Sequence, residues 1–210
     1  FLSGMFHDEP SIESMNTLGL GVSSVGNHEF DEGTAELLRM QNGGCHPVDG
    51  CYFPSQPYAG ATFPYLAANV IKNSTGTPLL PGAVVKTVGG EKIGFIGMTL
   101  QGTPSLVDPA GVSSVTFQSE ITAANREANK LTKAGVRAIV LLIHEGGYQT
   151  GGLSDCTSAS GPILDIATKV NPAIDVVVSG HTHQPYVCKV TDPGDRRRRV
   201  RAHSPAVCVQ

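Results

Sequence analysis

Short apolar runs alternate with amphipathic segments along the 210-residue chain. Apolar runs bounded by glycine or polar residues predict buried strands, whereas apolar positions at helical spacing predict helices. The clearest helix is predicted over 119–134, where Ile121, Ala124, Ala128 and Leu131 share one face and Gly135 follows as a stop signal. Alternating strand and helix signals predict an α/β fold with a largely buried sheet.

The remaining elements follow from the same rules. Helices are also predicted at 10–18, 31–40 and 162–170, where a proline or polar residue precedes a periodic apolar pattern. Strands are predicted at 22–25, 63–70, 136–143, 174–179 and 186–190, and a Gly89-Gly90 turn joins 84–88 to 92–98 in a hairpin. No apolar run approaches the ~20 residues that a membrane-spanning helix needs, so no such helix is predicted.

Charge divides the chain unevenly. The chain has 15 basic and 18 acidic residues, and five of the basic residues are arginines between Arg196 and Arg201. Such a run near a chain end is typically solvated, and no base-stacking motif accompanies it, so nucleic acid is not predicted as a partner. We expect a domain over 1–192 and an atypical arginine-rich tail over 193–210 that is disordered or frameshifted.

Four of the five cysteines suggest disulfide bonds. Cys45 and Cys51 enclose a short loop rich in glycine and proline, which favours a local disulfide and therefore an oxidising compartment. Two free thiols, or a zinc site shared with His46, remain the alternatives. Cys156 and Cys188 can form a second bridge, although the sequence alone does not determine the pairing.

Four histidines follow predicted strands at their C-terminal ends: His28, His144, His181 and His183. In open α/β sheets, ligands bind at that edge, so a common site is expected there. In an extended Gly180-His181-Thr182-His183 segment, both imidazoles would project to the same side. Imidazole nitrogens suit zinc, manganese and related divalent ions, although two ordinary surface histidines are the alternative interpretation.

The segment Gly26-Asn27-His28-Glu29-Phe30-Asp31 carries a second set of polar groups. The carbonyl oxygen of Asn27 can ligate a hard cation, and His28 can donate a proton or hydrogen bond to a negatively charged reacting group. Asp31 can accept from the other imidazole nitrogen and favour the charged ring. An Asx turn leading into a helix capped by Asp31 is an alternative that is compatible with these roles.

The other histidines and one glutamate are weaker candidates. Glu145 follows His144 and is a less favoured metal ligand. His7, His46 and His203 do not follow predicted strands in this way, and we interpret them as surface residues.

These motifs, taken in order, resemble those of the calcineurin-like metallophosphoesterases. The matching segments are Gly26 to Asp31, His144 to Gly146 and Ser179 to His183. The stretches 6–10 and 63–70 look more narrowly like the secreted bacterial 5'-nucleotidase branch of that family. The resemblance implies an incomplete domain over 1–192 built as an αββα sandwich, with mixed sheets and helices outside. It also implies an extracellular, periplasmic or cell-wall location.

The resemblance also implies residue roles. Asn27, His144 and His181 match ligands of one divalent metal ion, and His183 matches a ligand of a second ion. His28 matches the catalytic histidine beside the phosphate, with Asp31 as its partner, and Asn27 and His28 match substrate-binding residues. The implied activity is hydrolysis of phosphate esters, above all nucleoside 5'-monophosphates, and the metals are manganese, zinc, magnesium, cobalt or calcium.

The sequence also departs from the family pattern. The family's Asp-x-His and Gly-Asp motifs do not occur ahead of Gly26, and its C-terminal nucleotide-binding domain has no counterpart. The chain is therefore expected to be a fragment with only part of the ligand set and with no obligate protein partner. Alternatives are a non-catalytic fragment that binds metal weakly, or a 2',3'-cyclic phosphodiesterase, nucleotide-sugar hydrolase or sulfur-ester hydrolase in the intact parent.

Overall fold

A computed structural model describes residues 3–190 of the chain, so the arginine-rich tail and His203 lie outside the described residues. The helices are α1 (Glu9–Thr17), α2 (Gly33–Asn42), α3 (Glu120–Lys133) and α4 (Pro162–Lys169). The strands are β1 (Ser23–Ser24), β2 (Tyr65–Leu66), β3 (Val70–Lys72), β4 (Ala83–Val88), β5 (Glu91–Met98), β6 (Val115–Phe117), β7 (Ala138–Ile143) and β8 (Val176–Ser179). The predicted mixed α/β class is confirmed.

The largest sheet of the described residues has the strand order β4-β5-β7-β8. Strand β4 pairs antiparallel with β5 in the predicted hairpin, whereas β5, β7 and β8 run parallel. Ile143 at the end of β7 lies opposite Ser179 at the end of β8. Because the carboxyl ends of these parallel strands share one edge, His144 and the 180–183 segment emerge side by side.

A second layer of short strands lies against this sheet. Strand β1 pairs in parallel with β2, and β3 pairs antiparallel with β6. The layers meet at Gly97 of β5, where any side chain would collide with the backbone of Leu66 in β2. The Ala68 N–H donates to the Gly97 carbonyl at 2.8 Å. Glycine therefore allows the two layers to approach at this point.

Each layer buries its own hydrophobic core under helices. Helices α3 and α4 cover the larger sheet, and its core includes Ile139 and Leu141 of β7. Helices α1 and α2 contribute Ile12 and Leu37 to the second core, which also contains Phe30. Mixed sheets with helices on the outside are therefore confirmed. No helix in the described part of the chain is long and apolar enough to cross a membrane.

Two of the strand predictions were wrong. The predicted strand 63–70 is divided into β2 and β3, because the buried Asn69 between them bonds through its side chain to both backbone groups of Thr99. The segment 186–190 is irregular rather than a strand. Its position is determined by the Tyr186 hydroxyl, 2.7 Å from the Ser179 hydroxyl, and by the bond from Cys188 to Cys156.

Other differences concern short or terminal segments. Strand β6 was not predicted, since three residues give little periodic signal. Helix α2 begins two residues later than expected, after a 3₁₀ turn at His28–Phe30. Both predicted disulfides, Cys45–Cys51 and Cys156–Cys188, are present. For Cys45 and Cys51, the alternatives of two free thiols or of a zinc site shared with His46 are therefore wrong.

Candidate active site

Three loops lie at the carboxyl edge of the strands and carry the predicted polar residues. His144 directly follows β7, and its N–H donates to the Met98 carbonyl at the end of β5 at 3.0 Å. The 180–183 loop follows β8, and the 25–31 segment follows β1. Position within the sheets therefore brings together residues that are far apart in sequence.

Asn27 and two histidines form the centre of this site. The Asn27 Oδ1 atom lies 2.9 Å from the His144 Nε2 atom, which lies 3.3 Å from the His181 Nδ1 atom. Asn27 is buried, and the two imidazole rings meet edge to face with their centroids 5.1 Å apart. One amide oxygen and two imidazole nitrogens thus converge, a donor set that fits a divalent transition-metal ion.

Gly26 makes this convergence possible. A Cβ atom at Gly26 would lie 2.6 Å from two ring atoms of His144. Real Cβ contacts are not this short, so a side chain here would displace the imidazole. The glycine before Asn27 thus provides the space that the His144 ring occupies.

His28 and Asp31 form a separate pair in the adjacent turn. The His28 Nδ1 atom lies 2.8 Å from the Asp31 Oδ2 atom, and their side chains are 58% and 52% exposed. Phe30 is fully buried and packs edge-on against Phe117, which anchors the turn. Helix α2 has Glu32 as its N-cap, so Asp31 orients His28 rather than capping the helix.

The loop that carries His181 and His183 is not extended, so that part of the prediction was wrong. Both histidines have left-handed backbones, with φ of 71° and 55°. Thr182 between them bonds through its hydroxyl to the Gly147 carbonyl at 2.8 Å, which holds the loop against the one that follows β7. Non-glycine residues adopt this conformation at a cost, and such strain occurs preferentially at functional sites.

Burial and neighbouring histidines keep the central imidazoles neutral. Burial, followed by the neighbouring His181, His28 and His183, lowers the pKa of His144 to about 4. Burial, followed by His183 and His28, also lowers the pKa of His181. Neutral imidazoles retain the lone pair that can bind a cation, so protons compete less for these two ligands.

Two glutamates beside the site bond to backbone groups instead. The Glu29 carboxylate accepts from the Gly26 N–H, and burial raises its pKa. The Glu145 carboxylate accepts from the Gly146 N–H at 3.0 Å, and burial raises its pKa as well. Glu145, a weaker candidate ligand in the sequence, therefore stabilises its own loop in this structure.

A buried polar network beneath the site was not predicted. The Thr99 hydroxyl donates to the Val25 carbonyl at 3.0 Å, and the Thr99 N–H donates to the Asn69 Oδ1 atom at 2.9 Å. This network connects the segment leading to Asn27 with the end of β5. The only sequence signal was a polar Asn69 within an otherwise apolar run.

The interpretation of His7 and His46 as surface residues was wrong. Their side chains are only 14% and 11% exposed, and their rings stack with centroids 3.8 Å apart. Together with Glu32 and Glu36 they form a group that can hold a metal ion. The stack brings the N-terminal turn onto the disulfide loop, a contact that no local sequence pattern indicates.

We expect the free energy of unfolding of the metal-free chain to fall as the pH decreases from 6.5 towards 4. Folded His144 has a pKa of about 4, lowered from 6.5, so the unfolded state binds the additional proton and acid favours unfolding. Urea unfolding at several pH values, in the wild type and in His144→Gln, measures this dependence. An identical pH dependence in the two proteins would show that His144 does not have the lowered pKa that this prediction requires.

Comparison with known proteins places this geometry in context. No family model matches the chain. The chain is 40% identical over 183 residues to the endonuclease YhcR of Bacillus subtilis, covering 87% of this chain and 14% of that protein. It is 33% identical over 183 residues to the snake venom 5'-nucleotidase of Gloydius brevicauda, covering 85% of this chain and 26% of that protein. The chain thus spans about a quarter or less of these relatives.

Solved structures show the same architecture. The crystal structure of the calcineurin-like phosphoesterase YfkN from Bacillus subtilis superimposes with a TM-score of 0.64 at 27% identity. The match covers 83% of this chain and 48% of the YfkN chain. The described fold therefore corresponds to part of a larger phosphoesterase structure.

Proposed function

Because this chain is homologous to part of the 5'-nucleotidases and calcineurin-like phosphoesterases, we propose that a protein carrying it hydrolyses phosphate esters with divalent metal ions. The observation that carries the proposal is the contact of Asn27, His144 and His181 at one strand edge. These donors suit a cation, and the His28–Asp31 pair in the adjacent turn suits an anionic substrate. A phosphate ester requires both functions.

The proposed metal-binding roles combine donor contacts with the family resemblance. We assign Asn27, His144 and His181, which are in contact, to one ion, and on the resemblance alone we assign His183 to a second. Such ions act as Lewis acids towards phosphoryl oxygens and stabilise negative charge in an in-line displacement. The protein's contribution is to hold neutral donors in place, which the buried Asn27 and the supported 180–183 loop do.

The proposed role of His28 is to donate a hydrogen bond or a proton to the phosphate ester. Asp31 bonds to Nδ1, so the Nε2 atom is the one left to face substrate. The carboxylate fixes the ring orientation and stabilises the positive charge on the imidazole. His28 would therefore stabilise charge on the phosphoryl group or assist the leaving oxygen.

Nucleoside 5'-monophosphates are the proposed substrates. Venom 5'-nucleotidases are among the relatives, and the site described here fits the phosphate end of such a molecule. The two disulfides are typical of proteins in oxidising compartments, which supports an extracellular, periplasmic or cell-wall location.

A second candidate is that the 210-residue chain alone is a weak metal binder with little turnover. The three donors in contact at the site, Asn27, His144 and His181, are all neutral. Two nearby cations repel one another and need negative ligands between them, which neutral donors do not supply. The donor set therefore favours binding of a single ion by this chain.

Phosphate release from AMP with manganese tests the proposed function. We expect release by a protein of the relatives' length that contains this chain, and little release by the 210 residues alone. The control is the same protein with His28→Ala. Release no higher than this control would refute hydrolysis at this site, and full activity of the 210 residues would refute the weak-binding candidate.

A further inference from the structure

A second group of metal donors shares no residue with the candidate active site, although its Glu32 directly follows Asp31. It comprises His7, Glu32, Glu36 and His46, whose ligand atoms lie within 4.8 Å of one another. The electrostatic partners of His7 are carboxylates, whereas those of His144 are other histidines. The two groups therefore have different chemical environments as well as different residues.

Two carboxylates lie on opposite edges of the stacked imidazoles. Glu32 faces one edge, with its carboxylate oxygens 2.8 Å from His7 Nδ1 and 3.5 Å from His46 Nε2. Asp49 faces the other edge, with its Oδ2 atom 2.9 Å from His7 Nε2 and 3.7 Å from His46 Nδ1. The His7 ring can thus ligate an ion beside Glu32 through Nδ1 while its Nε2 atom donates to Asp49. The His46 Nδ1 atom instead accepts from the Asp49 N–H at 3.1 Å, so only His7 has the Asp49 carboxylate as an outer partner. Metal-bound histidines usually have such an outer carboxylate.

The surroundings of this group favour a cation. The carboxylates of Glu32 and Asp49 lie 2.8 and 2.9 Å from the two ring nitrogens of His7, and Glu32 also lies 3.5 Å from His46 Nε2. These carboxylates make the potential at the rings negative. Glu36 is already paired with Arg39 through two short hydrogen bonds of 2.7 and 2.8 Å, so it contributes less than Glu32.

The backbone also holds these side chains in place. His7 has a left-handed backbone with φ of 47°, an unusual conformation for a non-glycine residue. His46 follows Cys45 within the loop closed by the Cys45–Cys51 disulfide, and Asp49 lies in the same loop. Both cysteines are bonded to each other, so nitrogen and oxygen donors remain for an ion here.

We propose that His7, His46 and Glu32 bind a divalent transition-metal ion, for which zinc is the test probe, with Asp49 as the outer carboxylate. The ion would join three segments: the N-terminal turn, the start of α2 and the disulfide loop. Zinc holds nitrogen ligands at about 2.0–2.1 Å, so its donors lie closer together than those of this group. The nearly parallel rings, inclined by 11°, therefore tilt towards each other at the Glu32 edge when the ion binds.

Zinc titration of the oxidised 210-residue chain tests the proposal. The background is the His144→Gln, His181→Gln double variant, which removes zinc binding at the candidate active site. We expect one equivalent of zinc to bind in this background. Adding His7→Gln with His46→Gln, or Glu32→Gln alone, should weaken the binding at least ~10-fold.

Controls separate loss of binding from loss of folding. Glu91→Gln removes an exposed carboxylate at the start of β5 and should leave zinc affinity unchanged. The Glu32 side chain is 45% exposed, so Glu32→Gln is expected to fold, which circular dichroism verifies. Zinc should also raise the thermal midpoint only when the group is intact. Absence of zinc binding in the background protein, or equal affinity in Glu32→Gln, would overturn the proposal.

Discussion

Replacing His28 with glutamine should lower the rate of phosphate release from AMP by about 10²–10⁴-fold, the contribution of a general acid or base. The structure supports this magnitude because the imidazole is solvent-exposed and oriented by Asp31 at 2.8 Å. Glutamine can still donate a hydrogen bond but cannot transfer a proton. The rate is measured at saturating manganese, with a protein of the relatives' length that contains this chain.

Two comparisons make this result specific. Asp31→Asn keeps the shape of the pair but removes the charge that stabilises the imidazolium, so we expect a smaller loss, about 10–100-fold, as for other supporting residues. Metal affinity should be unchanged in His28→Gln, because the direct contacts of the central donors involve Asn27, His144 and His181. A rate within a few-fold of wild type, or a parallel loss of metal, would show that His28 does not act as proposed.

The edge of the sheet was predictable because the strands that form it have strong local signals. Strand β7 is a continuous apolar run followed by His144, and β8 is followed by Gly180. Parallel pairing then brings these ends together. In contrast, the break between β2 and β3 depends on Asn69 bonding to Thr99, thirty residues away. Long-range side-chain contacts of this kind leave no periodic pattern.

The sequence predicted the location of the site residues better than it predicted their backbone conformation. Strand ends indicated where Asn27 and the histidines lie, but the left-handed backbones of His181 and His183 depend on packing of their loop against Gly146 and Gly147. The group formed by His7 and His46 was missed altogether. Its two halves lie on different loops, and each histidine alone is indistinguishable in sequence from a surface residue.

Gly26 provides the most direct test of whether the contact between Asn27 and His144 is the metal site. The structure leaves no room beside this residue, since an added Cβ atom would lie 2.6 Å from the His144 Cε1 and Nδ1 atoms. The ring is the outer part of a side chain, so it can rotate away while β7 stays in place. The fold should then tolerate the substitution better than the site does.

We therefore expect Gly26→Ala to weaken metal binding by about 100-fold or more, because displacement of a ligand by roughly 1 Å is enough for such a loss. The matched control is Gly21→Ala, since an added Cβ at Gly21 meets nothing within 4 Å, and its affinity should equal wild type. Metal titration measures both, and urea unfolding should show a loss of only about 1 kcal/mol for Gly26→Ala, at the low end of overpacking costs. Normal metal affinity in a folded Gly26→Ala protein would show that the ion does not need His144 where the structure places it, and would remove the observation on which the phosphoesterase proposal depends.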